Sequence, residues 1–335
     1  MPPQRILDFQ TYSNPLFDRF VGTLEDRLRV LGREAGLSVS DFDELYARLV
    51  SWDKEKTRSI MTQTAFDVVG QPKMYDRLWD AVAAYCAFLS AHARRPTTRP
   101  LLNDVMFHVK TTAEILKPLR VFVTDKELAK IYVAGLIGRS YCVDTTAVLR
   151  SDAEIDRYDF PADCAVKPTH LSGSYQFAHS GIDKTAVKAW LRQNYYLMTR
   201  EANYGHLDPK IIIEPFLGNY YEVKVYCLFG EPKLLNAVLG NTTRRRNDYF
   251  TVDWTRLDVQ SPLPPFEGII PKPRMIEEIL EISRVLSSRF NLVRLDFYTN
   301  DDDIKVGEIT NCDNSGTRVY KPQGAHELVS KVIFG

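Results

Sequence analysis

Two hydrophobic periodicities divide this chain, and they restrict what it can fold into. Up to the histidine at 92, apolar side chains recur at helical spacing, while beyond residue 160 they alternate as in strands. Leu16, Phe17, Phe20, Val21, Leu24, Leu28 and Leu31 share one helical stripe, with Gly36 placed to stop it. Ser40 with Asp43 has capping-box spacing ahead of Leu45 and Leu49. Met74, Tyr75, Leu78, Trp79, Val82, Cys86 and Leu89 form a further stripe. Such stripes are packing surfaces. A basic, proline-rich connector from His92 to Pro100 then interrupts the pattern, which sets a helical domain over residues 1–98 and a second domain over 99–335.

In the second domain Thr124 and Glu127 read as a capping box, opening a helix that runs to Gly138. Strands are expected at Cys164–Lys167, Ile211–Leu217, Glu222–Phe229, Lys233–Leu239, Leu292–Thr299 and Ile304–Ile309. Helices are expected at Asp183–Arg200 and Arg274–Arg289. The class is α+β.

Composition removes several kinds of function. Lys plus Arg equals Asp plus Glu at 43 each, which makes the chain a poor candidate for general nucleic-acid binding, although local basic clusters can still bind small anions. The five cysteines, Cys86, Cys142, Cys164, Cys227 and Cys312, include no C-x-x-C pair. That argues against a disulfide framework or structural zinc and for free thiols in a reducing compartment. No stretch approaches the ~18 apolar residues of a membrane span, and the start of the chain has no signal-peptide core. A cytoplasmic protein is expected; the oligomeric state is open.

Two hairpins carry the chemical argument. In the first, a turn centred near Asp302 would set Asp296 opposite Glu308 and Arg294 opposite Thr310, all on one face. Directly opposed side chains lie about 5 Å apart at Cβ. Two carboxylates at that distance can hold a divalent cation, or form a solvated polar face; the pairing alone fits both. The second hairpin, turning at Gly230-Glu231, puts Glu222, Lys224 and Tyr226 on one face and Val223, Val225 and Cys227 on the other. Glu222 can accept from a ribose and Lys224 can meet a phosphate or an acidic group, and an ordinary half-exposed sheet fits as well. Arg244, Arg245 and Arg246 in a polar loop can clamp anionic groups or stay solvated.

Neither G-x-x-x-x-G-K-[ST] nor G-x-G-x-x-G occurs. A short apolar strand instead delivers Lys167 ahead of Ser172-Gly173-Ser174. A strand-end lysine and the N–H groups of a small-residue loop can together bind phosphate. His170 in that loop reads as structural or exposed rather than catalytic, and His92, His108, His179, His206 and His326 show no ligand spacing.

Taken in order, Lys126 in an Asp-Lys helix start, Lys167, Ile211-Ile-Ile-Glu-Pro-Phe216, Glu222, Arg294-Leu-Asp-Phe297 and Gly307-Glu-Ile-Thr310 resemble the ATP-grasp enzymes. D-alanine–D-alanine ligases have a similar succession. The closer resemblance is to the ATP-grasp family named for teichuronopeptide biosynthesis, over residues 100–335. The resemblance implies an ATP-grasp fold with a lid lobe at 160–217 and a metal-binding lobe at 218–335, and a helical N-terminal extension in place of the usual first domain. It implies ATP and Mg2+. Lys126 and Lys167 would contact phosphates, and Glu214, Pro215 and Phe216 would form the strand whose backbone reads adenine. Glu222 would hold ribose. Asp296 and Glu308 would bind metal, joined by Thr310 or Asn311, since Thr310 stands where many relatives have Asn. Arg294 would stabilise the transferring group, and Asn314, Ser315 and Gly316 would face substrate.

The reaction implied is amide formation between a carboxylate, such as a uronic acid of a cell-surface polysaccharide, and an amine, through an acyl-phosphate. A phosphotransferase acting on a hydroxyl and a non-catalytic nucleotide-binding protein are the alternatives from other classes.

Overall fold

A computed structural model describes residues 10–240, 245–268 and 270–335. By contacts the chain forms two compact units. The first comprises Met1–Ile115, Thr199–Ala202 and Asp313–Val319. Its helices are α1 (Pro15–Glu34), α2 (Phe42–Trp52), α3 (Lys54–Val69), α4 (Arg77–His92) and α5 (Leu102–Thr111). Side chains of Asn14, Asp41, Asp53 and Asp76 cap the first four by accepting from backbone N–H groups of the first turn. The cap of α2 is therefore Asp41, bonded to the Glu44 N–H at 2.9 Å, and not Ser40. The apolar stripes meet in one core containing Phe20, Leu24, Leu28, Leu49 and Leu89.

The contact boundary falls after Ile115 and not at the connector near residue 98. Phe107 of α5 packs edge-on against Phe88 of α4, 5.8 Å between ring centres, which ties the segment after the connector to the helical core.

The second unit begins with α6 (Pro118–Thr124) and α7 (Lys126–Ile137). Asp125 caps α7, accepting from the N–H groups of Glu127 and Leu128, whereas Thr124 closes the preceding helix. The capping box read at Thr124 is thus displaced by one residue. Gly138 ends α7 at φ +103°, a conformation open to glycine.

A four-stranded antiparallel sheet follows, built from β1 (Ala147–Leu149), β2 (Cys164–Pro168), β3 (Gln176–Phe177) and β4 (Ile211–Pro215) in the order β1-β4-β2-β3. α8 (Asp152–Arg157) and α9 (Lys184–Trp190) accompany it, and Leu149, Ile155, Val166, Val187, Ile211 and Ile213 make its core. The helix expected across Asp183–Arg200 is broken. The α9 segment stops at Trp190, and Asn194 accepts from the Tyr196 N–H to start the separate α10 (Tyr195–Thr199).

The larger sheet consists of β5 (Tyr221–Leu228), β6 (Glu231–Leu239), β7 (Arg246–Thr251), β8 (Leu292–Thr299) and β9 (Ile304–Thr310), all antiparallel, in the order β7-β6-β5-β8-β9. The loop expected to hold Arg246 is in part strand β7. α11 (Ile276–Ser287) packs on β5, β6 and β8, and α7 packs on α11 and β9. Val223, Val225 and Cys227 of β5 point into this core, which leaves Glu222 and Lys224 for the opposite face. α12 (Ala325–Phe334), unmarked in the sequence reading, contacts β5 and β6. The β5–β6 turn is Phe229-Gly230, both at positive φ, one residue before the expected position. Two left-handed residues in succession match strand twist in a tight hairpin.

Candidate active site

β8 and β9 pair Arg294 with Thr310 and Asp296 with Glu308, the register expected from the sequence. A simple turn would not give it. Next to the turn the pairing is Thr299 with Ile304 and Phe297 with Val306, and Gly307 is an extra residue that restores the outer register. The bulge needs glycine, because a Cβ on Gly307 would lie 2.5 Å from Cε2 of Tyr298.

Across the sheet a ladder of alternating charge runs through this face. Arg245 Nη2 lies 2.6 Å from Glu222 Oε2, and Lys224 Nζ lies 3.0 Å from the same oxygen. Lys224 also donates to Asp296 Oδ2 at 2.5 Å. Arg294 meets Asp296 twice, Nε to Oδ1 at 2.6 Å and Nη2 to Oδ2 at 2.8 Å, and its Nη2 reaches Thr310 Oγ1 at 3.1 Å. Burial pushes the Asp296 carboxyl up, but Arg294 and Lys224 more than reverse this and hold it below the usual carboxylate range. Lys224 is the mirror case: burial would lower it, and Asp296 and Glu222 raise it instead. Glu308 is partly exposed, with Lys126 Nζ at 4.0 Å.

A second cluster forms on the small sheet. Lys167 donates to Glu214 Oε2 at 2.7 Å, and Lys130 lies 2.5 Å from Glu214 Oε1. Burial raises Glu214, and Lys167 and Lys130 together pull it below its ordinary value. Lys126 donates to the Leu171 carbonyl at 2.6 Å, beside the turn Ser172-Gly173-Ser174, where Gly173 has φ +76°.

Between these clusters lies a cleft of about 500 Å3, within the size range of small-molecule sites. Lys167, Pro215, Phe216, Glu222, Arg245 and Tyr298 are on its wall. An aromatic group closes one side. Phe177 and His179 stack at 5.5 Å, and Phe216 packs on both, at 4.8 and 4.7 Å.

Several expected site residues have other partners. The Asn311 amide is engaged by α6, accepting from Arg120 Nη1 at 2.8 Å and donating to the Arg120 carbonyl and Thr124 Oγ1. That leaves Thr310, not Asn311, on the Asp296 face. Arg246 turns to the Pro265 carbonyl and Glu267. Arg244 is outside the described residues. Asn314, Ser315 and Gly316 belong to the helical unit, where Lys110 donates to Ser315 Oγ at 2.6 Å and the His92 ring meets the Gly316 carbonyl at 3.0 Å. His170 is buried against the Trp190 carbonyl and the Lys210 N–H, a structural role as read. Among the described residues, no three His, Cys, Asp or Glu side chains gather as a metal cluster.

The sequence profile of the TupA-like ATP-grasp proteins matches residues 109–333. The chain belongs to the TupA-like ATP-grasp family. Solved structures similar to it include a D-alanine–D-alanine ligase from Bacillus anthracis complexed with ATP, at 13% identity and a TM-score of 0.34, covering 57% of this chain and 55% of that one. The D-alanine–D-alanine ligase from Helicobacter pylori shows 17% identity and a TM-score of 0.33, covering 64% and 62%. The ATP-grasp ligase PsnB, complexed with a phosphomimetic variant of its minimal precursor, Mg and ADP, shows 12% identity and a TM-score of 0.33, covering 63% and 58%. The chain thus spans less than two thirds of the length of each. No curated protein matches it.

Sequence reasoning missed two features of this ATP-grasp chain. Tyr175, Phe177 and His179 are spaced by two along the chain, which was visible, although only Gln176–Phe177 is strand and His179 lies in the 3-10 turn Ala178–Ser180. Lys130 stands four residues after Lys126, the spacing that puts two side chains on one face of a helix.

Proposed function

We propose that this chain is an ATP-dependent ligase that activates a carboxylate as an acyl-phosphate and joins it to an amine. The observation that carries the reading is the Asp296–Glu308 pair, opposed across a bulged hairpin with Arg294 on the same face, beside a cleft that Lys167 and Glu222 line. Membership of the TupA-like ATP-grasp family supports it.

The donor set at the hairpin is two carboxylates and the Thr310 hydroxyl, all hard oxygens. Such a set suits Mg2+, which takes one or two carboxylates and completes its shell with phosphate and water oxygens. Asp296 and Glu308 would hold it, and it would neutralise charge on the phosphoryl group in transfer. PsnB has been seen with Mg and ADP.

The chain's own groups then divide the work. The Phe177, His179 and Phe216 wall, with Pro215, takes the adenine, and Glu222 takes the ribose hydroxyls. Lys126 and Lys167 meet the phosphates. A substrate carboxylate oxygen attacks the γ-phosphorus, and the bond to the ADP oxygen breaks. The amine nitrogen then attacks the acyl carbon, phosphate leaves, and the amine proton passes to solvent. Arg294 stabilises the negative charge that builds in both steps. The four-stranded sheet acts as lid over the five-stranded metal-binding lobe, keeping water from the acyl-phosphate.

The acid we propose is a uronic acid of a cell-surface polysaccharide and the amine an amino acid, with Arg245, on the cleft wall, toward substrate. The helical domain is a separate element of this cytoplasmic enzyme.

The test is release of ADP and phosphate from Mg-ATP with uronic acids and amino acids supplied singly and in pairs. Turnover that requires both partners and disappears in Asp296→Ala is the expected result. Turnover with a hydroxyl compound alone would make the protein a phosphotransferase.

A further inference from the structure

Lys130 and Lys167 share Glu214, yet the two lysines are placed differently. An ammonium has three donors. All three of Lys130 are in use, on Glu214 Oε1 at 2.5 Å, the Val143 carbonyl at 2.8 Å and Thr145 Oγ1 at 2.8 Å. Lys167 gives one donor to Glu214 Oε2, lies 5.7 Å from the centre of the Tyr298 ring, and is on the cleft wall. Two of its three donors remain for a ligand.

We propose that Lys130 is a positioning residue of the nucleotide site, acting on the phosphates through Glu214 and Lys167. The inference rests on the nucleotide reading above. A carboxylate with one cationic neighbour draws that cation onto both oxygens. By holding Oε1, Lys130 leaves Lys167 a single oxygen and fixes its ammonium at the cleft. Glu214 is 4% exposed, so its Oε1 depends on Lys130 rather than on bulk water. Two ammonium groups and one carboxylate also leave a net positive charge beside the cleft, which suits a polyphosphate. Helix α7 thus supplies two lysines from one face. Lys126 donates to the Leu171 carbonyl beside the Ser172-Gly173-Ser174 turn, and Lys130 holds the frame.

The test uses the full chain and calorimetric affinities for ADP, the Mg2+ complex of a non-hydrolysable ATP analogue, and adenosine. Lys130→Met should weaken ADP and the analogue about tenfold, the size of one lost charge-assisted hydrogen bond. Adenosine, which has no phosphate, should change less than about twofold on the same scale. Glu214→Gln should show the same split, the double variant should be no weaker than Glu214→Gln alone, and Lys130→Arg should recover most of the loss. If Lys130→Met does not fold, Lys130→Gln serves, since it keeps a donor to Glu214 without the charge. Unchanged ADP affinity, or an equal loss for adenosine, would overturn the inference and leave Lys130 a general support of the pocket. Failure of the wild-type chain to bind ADP or the analogue would instead overturn the nucleotide reading beneath it.

Discussion

Single residues here divide into those that face the cleft and those that hold others in place, and mutation should separate them. Glu308→Ala, in the proposed ligase, is expected to cut turnover roughly 100-fold or more while the fold persists, as for the loss of a group that stabilises transferring charge. Arg246→Ala, whose side chain is held by Pro265 and Glu267, should lower it only slightly; steady-state kinetics on both checks this. Asn311→Ala should instead cost about 1–3 kcal/mol of stability by denaturant unfolding, because it removes the amide that Arg120 and Thr124 use in the interior. Glu214 should set an acid limit. Its folded pKa lies below its unfolded value near about 4.3. The stability it contributes is therefore complete above that pH and is lost as pH falls through the depressed folded value. Glu214→Gln should be less stable than wild type at neutral pH, and the gap should narrow as pH falls from the unfolded value toward the depressed folded value.

At the scale of elements, the β8–β9 hairpin is the decisive piece, and its bulge is testable. Gly307→Ala should destabilise the protein by about 1–3 kcal/mol, since the new methyl meets the Tyr298 ring and the strand must shift. Truncating Tyr298 to Leu should remove most of that penalty, and a double-mutant cycle by denaturant unfolding measures the coupling. The hairpin register was legible because alternation fixes which side chains share a face. The bulge was not: Gly307 reads as an ordinary glycine until the Tyr298 ring is seen against it. The caps of α2 and α7 were each misplaced by one residue for a similar reason. Several Ser, Thr and Asp side chains stand at each helix start, and the backbone conformation selects among them.

For the whole molecule, each unit has its own apolar packing, one core among the helices of the first and, in the second, a core at each of the two sheets. Leu24→Ala in the helical core and Leu286→Ala in the core beneath the large sheet should each cost about 2–5 kcal/mol, because both side chains are fully buried. Leu24→Ala is expected to leave ADP affinity unchanged, since the proposed nucleotide cleft lies wholly in the other unit. Thermal unfolding paired with binding measurements checks both. The expected boundary at the Pro-rich connector came from local composition, whereas contacts put residues 99–115 with the helices, because Phe107 enters their aromatic core.

The sequence by itself determined the class of the fold and the strands of the large sheet other than β7, because periodicity is a local property; Arg294, Asp296, Glu308 and Thr310 share the expected face, but the bulge at Gly307 is what delivers that register. Only the tertiary structure decided which charges meet. Lys130 and Lys167 are 37 residues apart in sequence and share one carboxylate because β2 and β4 are neighbours and α7 lies alongside. The side chain of Asn311 was likewise assigned to Arg120 and not to the Asp296 face by packing against α6. Pair interactions between distant segments depend on how the chain returns on itself, and spacing along the sequence does not record that.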